Sequence, residues 1–382
     1  MKKNIFYWSP CLNAVGTVKS TINSAIALSK YTKDCNVFVI NSCGEWNDYR
    51  DLFLKNSIGL IDLNFNYFKY LPKTGFIGSR LSYSIIFLFS FFPLLLLLKR
   101  EKPHSIILHL ITSLPLILLY LFDFKSNFIL RISGYPKLHK FRKFLWKINA
   151  KKLKSVTCPS KELRSQLEEK NIFFSEKLFY LPDAIISMNE FSKISDKIYT
   201  NLDFVSNKKI LLAAGRLTKQ KNFSYLINEF DNFIKTNKDF VLVILGEGEE
   251  RKSLLKIIKE KKIEKSVFLL GYKRDIYSIM KRSSAFILSS LWEEMGFVII
   301  EAAMNNLYII SSDCPNGPKE FLNNGINGIL FSNNIPNALN ESLQKFSKTK
   351  SEKIFDDKLQ LKKNSKKFTR FRHFLKLINF LE

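Results

Sequence analysis

Paired cysteines, metal-ligand clusters and acidic residues are scarce in this 382-residue chain. Its five cysteines (Cys11, Cys35, Cys43, Cys158, Cys314) form no CxxC and have no histidine at ligand spacing. That excludes a zinc or dithiol motif and reads as reduced thiols of a cytosolic protein. Acidic residues number 34 against 60 Lys and Arg, a formal net charge of +26. Such an excess suits polyanionic partners: nucleic acid, an anionic membrane face or a diphosphate-bearing substrate. An AT-rich coding bias toward Lys, Asn, Ile and Phe accounts for part of the same excess. No DxD falls in a strand-end loop, since Asp356-Asp357 lies in a charged tail, so no metal is expected. The first residues, MKKNIFYWSP, hold too short an apolar run for a signal-peptide core and read as a first strand. One run raises the question of a membrane span, Leu81–Leu98 (LSYSIIFLFSFFPLLLLL). Pro93 and the serines 82, 84 and 90 interrupt it, so it is expected as a buried or interface-dipping helix.

A hydrophobic fraction of 46% marks a folding chain, and its length accommodates two α/β domains. In the first half, apolar runs at Ile5–Trp8, Val37–Asn41, Ser105–Ile111, Phe128–Ile132 and Ser155–Cys158 alternate with helical stretches, the first near Thr17–Lys30. Strands that alternate with helices imply a parallel, doubly wound sheet, because parallel neighbours need crossovers. From Asp183 to Ser206 the pattern dissolves into polar residues, then restarts with KILLAAG, FVLVILGEG, VFLLG, AFILSS and LYIISSD. The expected division is therefore a domain over 1–185, a linker over 186–206, a second domain over 207–344 and a basic helical tail over 345–382 that packs back toward the first domain. A ligand cleft is expected between the two domains.

The second half carries the chemistry. WEEMGFVIIEAA (Trp292–Ala303) runs from a strand into a helix, so Met295, Gly296 and Phe297 present backbone N–H groups at a helix N-terminus. Glu293 precedes that helix and Glu301 lies inside it, a separation suited to holding two hydroxyls of one ligand. Taken alone, the two carboxylates also fit a cap and a solvated helix position. AAGRLTKQKN (Ala213–Asn222) puts Arg216 and Lys221 on one strand-end loop, a guanidinium and an ammonium for a diphosphate. LGEGEE places Gly246 and Gly248 at another strand end, as a tight turn or a ligand contact. DCPNGPKEFL and NNGINGILF follow.

This ordered set resembles the donor domain of family 4 glycosyltransferases of the GT-B fold, over roughly Lys209 to Phe331. The resemblance implies an α/β architecture of two Rossmann-like doubly wound domains facing a central cleft. It also implies a retaining transfer from a nucleotide-diphosphate sugar, with no cofactor. Glu293 is then expected near the sugar, Glu301 on the ribose, and Arg216 and Lys221 on the diphosphate. Met295, Gly296, Phe297 and Gly246 complete the donor site. In the first half, the glycine-rich loop of the family is reduced to Asn13-Ala14-Val15-Gly16-Thr17, leaving Gly16. His109, in IILHLITSLP, is assigned a role at the donor or acceptor sugar, the alternative being a satisfied buried histidine. Ser133 stands where relatives frequently carry a histidine, and Arg131 is a weaker candidate for a phosphate contact.

Residues 137–154 join many lysines and arginines to Phe141, Phe144, Leu145 and Trp146. They suit an anionic membrane surface, and equally a solvated basic face on a core helix. The functional expectation is transfer from a UDP-sugar, or second a GDP-sugar, to a glycan or polyprenyl-diphosphate-linked acceptor in cell-surface polysaccharide biosynthesis, on the inner face of the cytoplasmic membrane. Nucleic acid is not expected as a partner, because no binding-module signature is present. A nucleic-acid-binding protein and an inactive scaffold of the same fold are the alternatives.

Overall fold

A computed structural model describes residues 2–12, 16–64, 66–73, 76–195, 205, 207–273 and 275–382. Asn13, Ala14 and Val15 of the first loop, and 196–204 and 206 of the expected linker, lie outside the described residues. The chain divides into two compact units, Met1–Ile185 with Phe368–Glu382, and Ile186–Lys367.

Unit 1 runs β1 (Lys3–Trp8), α1 (Gly16–Tyr31), β2 (Cys35–Asn41), α2 (Arg50–Lys55), β3 (Ile58–Asp62), α3 (Phe76–Glu101), β4 (Ser105–Leu108), α4 (Ser113–Leu121), β5 (Asn127–Arg131), α5 (Lys140–Asn149), β6 (Ser155–Cys158), α6 (Lys161–Glu169) and β7 (Leu178–Tyr180). Among the described residues the strands make one parallel sheet, β3-β2-β1-β4-β5-β6-β7. Its central strands are apolar without interruption because helices cover both faces. Phe6, Trp8, Ile106, Leu108, Phe128 and Leu130 point into one core, beneath α3, α4 and α5. Ile5, Tyr7, Ile107 and Ile129 alternate with them and point into the other, beneath α1. The edge strands β3 and β7 escape the sequence pattern, being short and half-exposed. The strand expected over Ser105–Ile111 stops at Leu108: Ile111 has a φ of 45°, and its carbonyl accepts from the Trp8 indole at 3.2 Å.

Unit 2 runs α7 (Met188–Ser195), β8 (Lys209–Ala214), α8 (Phe223–Ile234), β9 (Phe240–Leu245), α9 (Arg251–Glu260), β10 (Val267–Leu269), α10 (Ile276–Lys281), β11 (Ser283–Leu288), α11 (Phe297–Met304), β12 (Tyr308–Ser312), α12 (Pro318–Phe321), β13 (Ile329–Phe331), α13 (Ala338–Lys348) and α14 (Ser351–Ser365). Its parallel sheet is ordered β10-β9-β8-β11-β12-β13. The chain then returns to unit 1 as α15 (Arg370–Leu377), which packs on α1.

One stretch differs from its sequence reading, and the apolar run gains detail. The supposedly featureless polar stretch begins with Ala184, Ile185 and Ile186 fully buried, and the Ile185 N–H donates to the Phe368 carbonyl at 2.8 Å. For Ile185 that partner lies near the far end of the chain. The run Leu81–Leu98 forms most of α3, buried on one side only. Leu94, Leu95, Leu97 and Leu98 enter the core, whereas Leu88, Phe92 and Leu96 are exposed.

Candidate active site

A doubly wound parallel sheet opens a crevice where its strand order reverses, at the carboxyl ends of the strands. In unit 2 that point lies between β8 and β11. The loop leaving β8 carries Arg216 and Lys221, and the loop leaving β11 carries Glu293. The loops are stitched together: Ser289 Oγ donates to the Lys221 carbonyl at 2.8 Å, Leu291 N–H to the Gln220 carbonyl at 2.9 Å, and Gln220 Nε2 to the Trp292 carbonyl at 2.9 Å. As a result the Lys221 ammonium sits on the Glu293 carboxylate, with Glu293 buried and Lys221 half-buried. Glu293 Oε1 also accepts from Ser290 Oγ at 2.6 Å. The Ser290 carbonyl in turn is held by Ser312 Oγ at 2.7 Å and Asn333 Nδ2 at 2.9 Å. Arg216 is exposed and has no ion-pair partner among the described residues.

The glycines and the helix frame this pair. Gly246, after β9, has a φ of 138°, and a Cβ there would lie 1.9 Å from the Gly215 carbonyl oxygen. Its demand for glycine thus comes from the approach of one loop backbone to another. Gly296 starts α11 at a φ of 60°, between buried Met295 and half-buried Phe297. Backbone N–H groups of the first turn of α11 remain there for an anion or a hydroxyl. Glu301 lies in α11, is buried, and accepts from Tyr277 Oη at 3.2 Å.

The corresponding reversal in unit 1 lies between β1 and β4. His109 is the first residue after β4, and its N–H donates to the Trp8 carbonyl at 2.9 Å. The side chain is buried, and Nδ1 has no hydrogen-bond partner among the described residues. It borders a cavity of about 360 Å³ also lined by Ile111, Ser113, Ser133, His139 and Arg142. Burial, then the Arg131 guanidinium and His373, hold the His109 pKa well below the usual imidazole range. The ring is therefore neutral at physiological pH, able to exchange hydrogen bonds with a sugar hydroxyl but not to act as a fixed cation. Gly16 opens α1 and is exposed.

Arg131 turns out to be a strut. Its guanidinium bonds Asp183 at 2.5 Å and the Leu181 carbonyl at 2.9 Å, and Ser20 Oγ closes on the same carboxylate. Beside it, His373 Nδ1 lies 2.7 Å from the Pro182 carbonyl, which can only accept. The proton is thereby placed on Nδ1. Nε2 accepts from Ser24 Oγ at 2.8 Å, and Ser24 accepts from Tyr7 Oη at 2.8 Å. Burial pushes the His373 pKa down to about 4.

Residues 195–368 match the family described as glycosyl transferases group 1. A relative from Campylobacter jejuni, N-acetylgalactosamine-N,N'-diacetylbacillosaminyl-diphospho-undecaprenol 4-alpha-N-acetylgalactosaminyltransferase, is 33% identical over 46% of this chain and 45% of its own. The chain spans less than two thirds of the length of the first two curated relatives it matches. Among solved structures, a glycosyltransferase from Rickettsia africae superposes with a TM-score of 0.79 at 17% identity, covering 100% of this chain and 98% of that one. Anabaena HepE in complex with UDP superposes with a TM-score of 0.73 at 15% identity, over 100% and 99%. The fold is GT-B.

In GT-B terms, the structure brings Lys221 and Glu293 into direct contact and sets Arg216 on the same loop as Lys221. Gly246 joins them through the backbone of that loop, and Met295, Gly296 and Phe297 follow Glu293 in the chain. His109 and Gly16 belong to the other unit. Ser289, Ser290 and Asn333 were not singled out from sequence, although they fix the ion pair. The available signal was AFILSS, whose two serines end an otherwise apolar strand. Tyr277 carried no sequence signal.

Proposed function

We propose that this chain is a retaining glycosyltransferase that moves a sugar from a UDP-sugar, or second a GDP-sugar, to a glycan or polyprenyl-diphosphate-linked acceptor in cell-surface polysaccharide biosynthesis. The observation that carries this reading is the exposed Arg216 on the same loop as Lys221, whose ammonium pairs with the buried Glu293 carboxylate at the point where the unit 2 sheet reverses. Arg216 and Lys221 hold the diphosphate, and the first amides of α11 face the charge that grows on it as the bond to the anomeric carbon breaks. The acceptor oxygen forms the new bond on the same face, and its proton passes to the departing phosphate. Glu293 positions the sugar and Glu301 the ribose, while His109 contacts the sugar or the acceptor. These cations neutralise the leaving group with no metal. The UDP carried by HepE supports uridine as the base, and the undecaprenol diphosphate in the Campylobacter relative's name supports a lipid-linked acceptor.

The test is thermal stabilisation by UDP and GDP without added metal. A diphosphate at one hundred times its dissociation constant adds about 2.7 kcal/mol. Arg216→Ala should weaken affinity about thirty-fold and leave the ligand-free melting temperature unchanged, since the side chain is exposed. No shift with either nucleotide overturns the reading.

A further inference from the structure

The helix α3 has one face that the fold does not use. Ile77, Leu81, Leu88, Phe92 and Leu96 recur every four residues or so along one side, and the middle of the stripe is as open as 68% for Leu88 and Phe92. Isolated exposed apolar residues need no explanation, whereas a stripe over about 30 Å of helix does. Its neighbours supply the complementary chemistry. On the same side of the sheet, α4 packs on both α3 and α5. It adds exposed Tyr120 and Leu121, and α5 adds exposed Phe141 and Phe144 among Lys140, Lys143 and Lys147. No Asp or Glu occurs within 76–100 or 135–154. The carboxylates just beyond are engaged, Glu101 with Arg100 at 2.8 Å and Asp123 with Lys152 at 3.2 Å.

We propose that α3 lies flat in the headgroup–acyl boundary of an anionic bilayer, its apolar stripe inserted and the lysines of α5 on the lipid phosphates. A spanning helix is excluded by the other face. Leu94, Leu95, Leu97 and Leu98 belong to the core with Phe6 and Trp8, and Ser82 Oγ holds the Pro72 carbonyl at 2.6 Å. Crossing the bilayer would strip the sheet of its cover. A second copy of the chain would meet the same cations face to face, so charge selects the lipid. The helix α5 also supplies Arg142 to the cavity beside His109, which places the docked surface and that cavity on one element. The inference deepens the lipid-linked reading of the acceptor and rests on it for what the surface delivers.

Cosedimentation of the full chain with phosphatidylethanolamine–phosphatidylglycerol vesicles, against phosphatidylcholine vesicles, tests it. The chain should partition onto the anionic vesicles. Joint Leu88→Asp and Phe92→Asp substitution should lower the partition by about ten-fold or more per side chain, with circular dichroism unchanged. Leu88→Ser with Phe92→Ser, a milder pair, should lower it in the same direction. Lys143→Gln and Lys147→Gln should cost about five-fold each. Wild-type chain that stays in solution, or stripe variants that bind as well as wild type, overturn the proposal. So does a dimer in sedimentation velocity that the stripe variants dissolve while wild type ignores vesicles. UDP stabilisation, read in parallel without lipid, reports on the transferase reading alone. Vesicle binding without nucleotide binding removes the enzyme and leaves the surface, and the converse does the opposite.

Discussion

Each unit of this chain keeps an ion pair largely withdrawn from solvent at the carboxyl end of its sheet, and the two pairs have different surroundings. Lys221–Glu293 in unit 2 is held by loop backbone and a serine, with the exposed Arg216 on the same loop and a helix starting four residues after Glu293. Arg131–Asp183 in unit 1 is enclosed by Ser20 and the Leu181 carbonyl, and its neighbours are two neutral histidines and a tyrosine. Both lie at the carboxyl ends of parallel strands. What differs is the handful of residues just past the strands, and those decide whether the position gathers charge for a ligand or locks the fold. Unit 2 has an exposed cation on its strand-end loop, and unit 1 has a cavity bordered by a neutral histidine and backed by a strut.

The contrast can be broken most severely at Lys221. Lys221→Met leaves the Glu293 carboxylate buried with little besides the Ser290 hydroxyl and should cost about 3–5 kcal/mol in urea unfolding. If it costs under about 1 kcal/mol, the pair is solvated and the comparison with Arg131–Asp183 fails. Acid should act on the other unit. His373 has a folded pKa near 4 against about 6.5 unfolded, so the unfolded chain binds the extra proton. Its contribution is intact above pH 6.5, declines by about 1.4 kcal/mol per pH unit as the pH falls, and levels off below about 4, a total of about 3 kcal/mol. His109, also held neutral by burial, adds in the same direction. Urea titrations of wild type and His373→Gln between pH 7 and 4 should show the shallower acid slope in the variant. The finest probe is Ser290→Ala, which removes one hydrogen bond to Glu293. It should cost about 1 kcal/mol of stability and loosen nucleotide binding less than Arg216→Ala does.

Much of this was legible in the chain. The uninterrupted apolar runs of β1, β4, β8 and β9 announced a parallel sheet because both faces of such a sheet are covered. The loop motifs announced Arg216, Lys221 and Glu293 because strand-end loops, glycines and charges leave a local signature. The edge strands were hidden, since Leu178–Tyr180 is three residues with one covered face. The role of Arg131 was hidden too, because a guanidinium on a strand looks the same whether its carboxylate is a ligand's or that of Asp183. The stretch from Asp183 read as patternless because Phe368, which holds Ile185, lies at the far end of the sequence.

By itself the sequence determined two doubly wound α/β halves, the identity of the charged loop residues in the second, and an apolar run of helical length at 81–98. These are local properties: periodicity, strand-to-helix punctuation and composition. Only the tertiary structure decided that Lys221 and Glu293 are partners, that His109 is neutral, that α15 closes over α1, and that α3 keeps one side of its apolar surface uncovered. Each of those depends on which residues meet across the fold. Burial, pairing and desolvation are set by neighbours in space, and the order of residues along the chain does not specify them.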